Sequence, residues 1–248
     1  MFAEYSIPYN TEAHDFQSIV RRIFGVEDLQ QTHTLRPPVD EQITFDEDTK
    51  TWFHRTYYSS PHYPELIALY ERFVQDVLLR YPEMLPPTCG DTEYALQVDP
   101  SFRIHLPNNT ALGKRDDDAG EAIGMHCDAD YNHQPGEINF ILPLTPMFET
   151  NSVYVESEPG QGDFHPVKVG VGELFCFYGN KCRHYNRRND TGVSRMSLDF
   201  RIIPMKSYDS EWPAVSIHGK RPLTLGGYFK KVHGAAGHHE LHDVGIRG

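Results

Sequence analysis

The feature that most constrains the fold lies between residues 94 and 203. There, short runs rich in β-branched and aromatic residues, at 94–98, 101–106, 124–131, 138–144, 152–156, 165–169, 173–178, 183–187 and 195–203, are punctuated by Gly, Pro, Asn and Asp. No helical period intervenes, so the crossover helices that a parallel sheet requires are missing. Antiparallel strands packed as a sandwich or barrel are what remains. Two helices are expected upstream. In 11–29 the residues Phe16, Ile19, Val20, Ile23 and Phe24 recur at helix spacing. In 64–81, Leu66, Leu69, Tyr70, Phe73, Val74, Val77 and Leu78 form one stripe opposite Glu71, Arg72, Gln75 and Asp76, with Pro64 in the first turn. Both would cover an outer face of the sheet. The stretch 40–58 lacks a clean period and reads as loop or irregular edge strand. A single domain over 1–248 is expected, with helical cover (1–93), a β core (94–204) and a C-terminal extension or lid (205–248).

Composition removes several function classes. With 39% hydrophobic and 12% aromatic residues, the chain can bury a core, which excludes wholesale disorder. A net charge of −12 repels a phosphate backbone, so no nucleic-acid partner is expected. No apolar run approaches the roughly 20 residues of a membrane helix, so no membrane partner is expected either. The four cysteines, Cys89, Cys127, Cys176 and Cys182, form no CxxC pair, and the amino terminus shows no basic start followed by an apolar run. A reduced, cytoplasmic protein is expected. The upstream helices and the tail could serve either as core cover or as a homodimer interface.

Chemistry enters at Gly124-Met-His-Cys-Asp. On a strand, residues two apart share a face, so His126 and Asp128 can converge on one point while Cys127 points away. His184 stands in a later β run, and Arg195-Met-Ser197 in the next. Two histidines and a carboxylate make the facial triad of non-haem Fe(II) oxygen chemistry, which leaves positions open for a co-substrate and dioxygen. A guanidinium and a hydroxyl two apart can clasp a carboxylate with charge-assisted hydrogen bonds.

This ordered set, His126-x-Asp128, then His184, then Arg195-x-Ser197, resembles the 2-oxoglutarate-dependent Fe(II) dioxygenases over residues 94 to 204. Within that superfamily the run His-Gln-Pro-Gly-Glu-Ile-Asn-Phe-Ile-Leu-Pro-Leu-Thr at 133–145 resembles oxygenases associated with streptomycin-type biosynthesis. The resemblance implies a mainly β double-stranded β-helix (jelly roll) with flanking N-terminal helices. It implies iron at His126, Asp128 and His184, 2-oxoglutarate at Arg195 and Ser197, and dioxygen as the oxidant. Hydroxylation of a small molecule with release of succinate and carbon dioxide is the default outcome, with desaturation or ring closure as variants. Because Asp128 is present, no halide position opens at the carboxylate ligand.

Further positions follow from strand parity. Asp199 and Arg201 share the face of Arg195 and Ser197, where substrate could lie, and Asp199 suits a cation. Together with the acidic balance and the resemblance to antibiotic-pathway oxygenases, this favours an amino- or guanidino-bearing small molecule over a protein or nucleic acid as substrate. Asn139, between Ile138 and Phe140, could reach co-substrate or iron-bound water. Arg103 and His105 form a similar inward pair, and Tyr131 and His133 follow the metal pair closely enough to line the site mouth. The acidic run 115–121 lacks EF-hand spacing and reads as a solvated loop, and the tail histidines His233, His238, His239 and His242 read as a flexible tail rather than a metal cluster. Cys127 and Cys182 read as core thiols. Two rivals stand beside the oxygenase: a cupin-like metalloenzyme, isomerase or hydrolase, with no use for a dicarboxylate clasp, and a non-catalytic β-sandwich binding module.

Overall fold

The computed structural model describes residues 4–36, 51–80, 85, 93–109, 123–215 and 221–234. Eleven strands are found there: β1 (Tyr5–Pro8), β2 (Glu93–Gln97), β3 (Ser101–His105), β4 (Ile123–His126), β5 (Ile138–Pro143), β6 (Val153–Val155), β7 (His165–Pro166), β8 (Glu173–Phe177), β9 (His184–Asn186), β10 (Arg195–Pro204) and β11 (Phe229–His233). The pairs β3·β10, β4·β9, β5·β8 and β6·β7 are rungs of one long antiparallel ribbon. The ribbon is rolled up so that β5 also bonds β10 and β6 also bonds β9. The result is a double-stranded β-helix with one large sheet and one four-stranded sheet, as the resemblance implied. Strands β1, β2 and β11 extend the large sheet at its two edges.

Period-two alternation explains the layering. On β10, Met196, Leu198, Phe200 and Ile202 are buried in a cluster shared with the helices, while Arg195, Ser197, Asp199 and Arg201 face the other way. Helix α1 (Phe16–Phe24) is opened by Asp15, whose carboxylate accepts from Ser18 N at 2.9 Å. Gly25 closes it at φ +65°, the left-handed cap that a Cβ disfavours. Helix α3 (Tyr63–Phe73) has Pro64 in its first turn and continues as a single π-type turn through Val74–Leu78. Tyr70 packs edge-on against Phe200 at 5.1 Å and donates to Gln97 O at 2.9 Å, which fastens α3 to the sheet. Between the sheets a smaller cluster gathers Ile141, Phe175 and Phe177 from one side and Val153 and Val155 from the other.

The structure departs from the sequence reading in three places. Helix α2 (Trp52–Ser59) occupies the end of the stretch 40–58 read as loop or edge strand. Only Phe53, His54 and Tyr57 are buried on this short helix, too few for a visible period, and Tyr57 stacks on Phe102 at 4.3 Å. The strand carrying His126 ends there, so Asp128 lies in a 3-10 turn, Asp128–Tyr131, and not on the strand. Residues 229–233, read as tail, form β11 on the edge of β2. Residues 40–50, the acidic run 115–121 and His238, His239 and His242 lie outside the described residues. No helix among the described residues is long and apolar enough to cross a membrane.

Candidate metal centre

His126 ends β4 and His184 opens β9, and the two are register partners. Gly124, at φ +65°, allows the irregularity in β4 that separates the Ile123 and His126 pairings. Asp128 enters from the following turn, its N–H donating to Gly179 O at 2.9 Å. Strand parity therefore does not account for the convergence of His126 and Asp128. One ligand atom from each of the three residues lies within 4.8 Å of the others. Asp128 Oδ1 stands 3.9 Å from His126 Nε2 and 3.7 Å from His184 Nε2, beyond hydrogen-bond length.

The tautomers suit a cation. His126 Nδ1 lies 2.6 Å from Gly124 O, and His184 Nδ1 lies 3.1 Å from Cys182 O. A carbonyl can only accept, so each Nδ1 carries the proton and each Nε2 presents a lone pair inward. Burial, with His184 beside it, brings His126 down to about 4, so its ring is neutral and able to ligate near pH 7. Two imidazoles and a carboxylate on one face, with room opposite, fit Fe(II) by the chemistry of the donor set.

Asp128 is held from behind. Its Oδ2 accepts from Asn139 Nδ2 at 2.5 Å and from Arg201 Nε and Nη2 at 2.8 and 2.7 Å, leaving Oδ1 for the metal. Burial alone would raise this carboxyl, but Arg201 and the neighbouring histidines more than offset it and hold the group well below the usual carboxylate range. Arg201 also reaches Glu137 at 3.5 Å and donates to Tyr228 Oη at 3.2 Å. Glu137, fully buried, accepts from His133 Nδ1 at 2.7 Å and Gln134 N at 2.9 Å. The sequence reading placed Arg201 toward substrate and the Asn139 amide toward co-substrate or water. Here the guanidinium and the amide nitrogen are committed to Asp128.

Arg195 is 1% exposed, and its hydrogen-bond partners among the described residues are all neutral. Nε donates to Asn151 O at 3.0 Å, Nη1 to Ser197 Oγ at 3.2 Å and Nη2 to Asn186 Oδ1 at 3.2 Å. Burial brings this guanidinium down to about 10, with Asp199 opposing and Arg103 adding to the effect, so it remains charged at neutral pH. Arg195 and the three candidate ligands line one cavity of about 780 Å³.

Of the other expected residues, Arg103, Asp199, Tyr131 and His133 line the same cavity. Arg103 Nε donates to Asp199 Oδ2 at 3.2 Å, and Ser197 Oγ to Asp199 Oδ1 at 2.9 Å. Asp199 is thus already ion-paired. Tyr131 meets His126 edge-on at 4.6 Å. His105 does not line the cavity: it is fully buried, with its ring nitrogens facing Asn109 O and Asn151 O at 2.9 and 3.1 Å. Its parity with Arg103 is right, but the chain segments around 109 and 151 close over it. Cys182 is buried as expected, whereas Cys127 is partly exposed.

Sequence reasoning missed Glu137, Asn186, Tyr228 and the Asp99–Arg221 pair. Asn186 carried a signal, since it lies two residues beyond His184 on the same strand face. Glu137 carried a weak one, four residues after His133. Tyr228 and Arg221 carried none, because only the pairing of β11 with β2 brings their segment to the site.

No protein-family profile matches the chain. Solved structures similar in fold include the non-heme monooxygenase ThoJ in its nickel complex (10% identity, TM-score 0.41, covering 82% of this chain and 74% of that one). They also include the non-heme alpha ketoglutarate dependent carbocyclase SnoK from nogalamycin biosynthesis (12%, TM-score 0.46, 82% and 79%). AviO1 from Streptomyces viridochromogenes Tue57 is a third (12%, TM-score 0.43, 84% and 92%). Among curated proteins, the streptomycin biosynthesis protein StrG of Streptomyces griseus is 30% identical over 233 residues, 93% of this chain and 100% of StrG. An identity sustained over that length places the chain in the StrG family.

Proposed function

We propose that the protein is a non-haem Fe(II)- and 2-oxoglutarate-dependent oxygenase that hydroxylates a small polar metabolite, releasing succinate and carbon dioxide. The observation that carries this reading is Arg195, a buried guanidinium with no carboxylate against it among the described residues, in the cavity that also holds His126, Asp128 and His184. A buried charge needs a counter-charge, and the distal carboxylate of 2-oxoglutarate would supply it, while Ser197, expected beside it, accepts from Arg195 Nη1 and donates its own proton to Asp199 Oδ1. His126, Asp128 and His184 would hold the iron, with Arg201 and Asn139 fixing which oxygen of Asp128 ligates. When bound, iron, 2-oxoglutarate and dioxygen would supply the oxidising power, and the protein positions the reactants and excludes water. Resemblance and the 30% identity to StrG support the same reading.

The test is an anaerobic titration of apo-protein with Fe(II) and then 2-oxoglutarate, following the visible metal-to-ligand charge-transfer band. The band is expected to require His126, and Arg195→Ala is expected to weaken apparent 2-oxoglutarate affinity by about 30-fold or more, the cost of truncating a buried charge partner. Stoichiometric metal binding without a band would favour the cupin-like metalloenzyme instead.

A further inference from the structure

The wall of the cavity is asymmetric in what it has spent and what it has kept. Its charged side chains are matched within the protein, apart from Arg195. Asp128 is matched by Arg201 and Asp199 by Arg103. At the mouth, Asp99 accepts from Arg221 Nη1 at 2.7 Å and from Tyr63 Oη at 3.3 Å. With 2-oxoglutarate against the metal and Arg195, no ionised group lining the cavity among the described residues is left seeking a counter-ion.

The unused hydrogen-bonding capacity is neutral and of both signs. Tyr58 Oη accepts from Phe102 N at 3.1 Å and Tyr228 Oη from Arg201 at 3.2 Å, so each keeps its own proton to donate. Burial raises both phenols, Tyr228 to about 12, so both remain protonated. His133 Nδ1 donates to Glu137, a carboxylate that can only accept. Asn139 is 4% exposed, and its Oδ1 is buried with no hydrogen-bond partner among the described residues, while Nδ2 is fixed on Asp128. All four residues line the cavity. An unsatisfied buried acceptor is costly unless a ligand supplies the donor.

We propose that the molecule taken up beside the metal is an uncharged, hydroxyl-rich small molecule, a cyclic polyol or glycoside. A hydroxyl is the group that donates to Asn139 Oδ1 and also accepts from Tyr58 and Tyr228. An ammonium or guanidinium finds Asp99 and Asp199 already paired, and a phosphate finds Arg103 and Arg221 already paired. This class differs from the amino- or guanidino-bearing metabolite expected from the acidic balance, Asp199 and the resemblance, because Asp199 is already paired with Arg103. It rests on the oxygenase reading both for the chemistry performed and for the recognition, because Arg195 is matched only by 2-oxoglutarate.

The experiment uses the full chain loaded with Ni(II) and 2-oxoglutarate, so that binding is measured without turnover. Isothermal titration compares three probes of one shape: a methyl glucoside, its 6-amino-6-deoxy analogue and its 6-phosphate. The neutral glucoside is expected to bind saturably and each charged analogue about tenfold more weakly or worse, the cost of setting an unmatched charge in the pocket. Asp99→Asn, which leaves Arg221 without its carboxylate, is expected to narrow the phosphate's deficit, and Arg221→Gln the amine's. An amino or phosphate probe that binds as tightly as the glucoside overturns the proposal, and so does failure of all three probes to bind. The Fe(II) charge-transfer band separates the two readings. Glucoside binding without the band sinks the oxygenase and keeps the polyol site, whereas the band without glucoside binding does the reverse.

Discussion

A Cβ built on Gly179 would lie 2.8 Å from both Cγ and Nδ2 of Asn139, so the bare backbone at 179 is what lets that amide reach Asp128. The same residue's carbonyl accepts the Asp128 N–H. Asn139→Ala is expected to weaken Fe(II) affinity by about tenfold or more, the usual cost of losing a partner that orients a ligand. Gly179→Ala should reproduce that loss by pushing the amide aside, with chelator competition as the measurement. Arg201 bears a heavier load. Removing it leaves Asp128 and Glu137 as buried carboxylates sharing no cation, so Arg201→Ala is expected to cost about 3–5 kcal/mol in denaturant unfolding of the apo-protein. Arg201→Lys keeps the charge without the two-nitrogen grip on Oδ2 and should recover only part of it. Equal stability of Arg201→Ala and wild type would show that the network does not hold the fold.

Strand β10 does two jobs through its two faces. Its outward side chains carry α3, and its inward ones carry the candidate chemistry, so packing on one face fixes geometry on the other. Phe200 is 1% exposed, stacked on Phe140 at 5.2 Å and touched edge-on by Tyr70. Phe200→Ala is expected to cost about 3–5 kcal/mol by emptying that volume, read as a lowered denaturation midpoint. Because Asp199 and Arg201 flank position 200, the variant should also bind Fe(II) more weakly. The parity of β10 was legible in the sequence, and so was the inward set Arg195, Ser197, Asp199 and Arg201. Helix α2 was not legible, since eight residues with three buried positions do not make a period. The turn holding Asp128 was not legible either: the run from Gly124 reads as one strand until Gly124 itself adopts a left-handed conformation.

For the molecule as a whole, buried histidines set the acid side of the stability curve. His54 and His126 are each brought down to about 4 by burial, reinforced by Arg103 and His184 respectively. Unfolded, they would titrate near 6.5, so between about 6.5 and 4 the unfolded chain binds more protons than the folded one. Stability therefore falls as pH drops through that window, by at most about 1.4 kcal/mol per pH unit for each such histidine. Thermal melts of the apo-protein should be nearly flat from pH 8 to 7 and steepen below 6.5, and a His54→Gln variant should show a shallower slope. A melting temperature unchanged between pH 7 and 5 would contradict the neutral, buried state of these rings. The sequence by itself determined the antiparallel architecture and the identity of the candidate ligands, because alternation and residue type are local properties written every two residues. Only the tertiary structure decided how those residues are spent: that Arg201 and Asn139 grip Asp128, that Arg103 neutralises Asp199, and that Tyr228 enters the cavity. Each of those facts depends on segments far apart in the chain meeting at one point, and no local pattern encodes which partner a charge will find there.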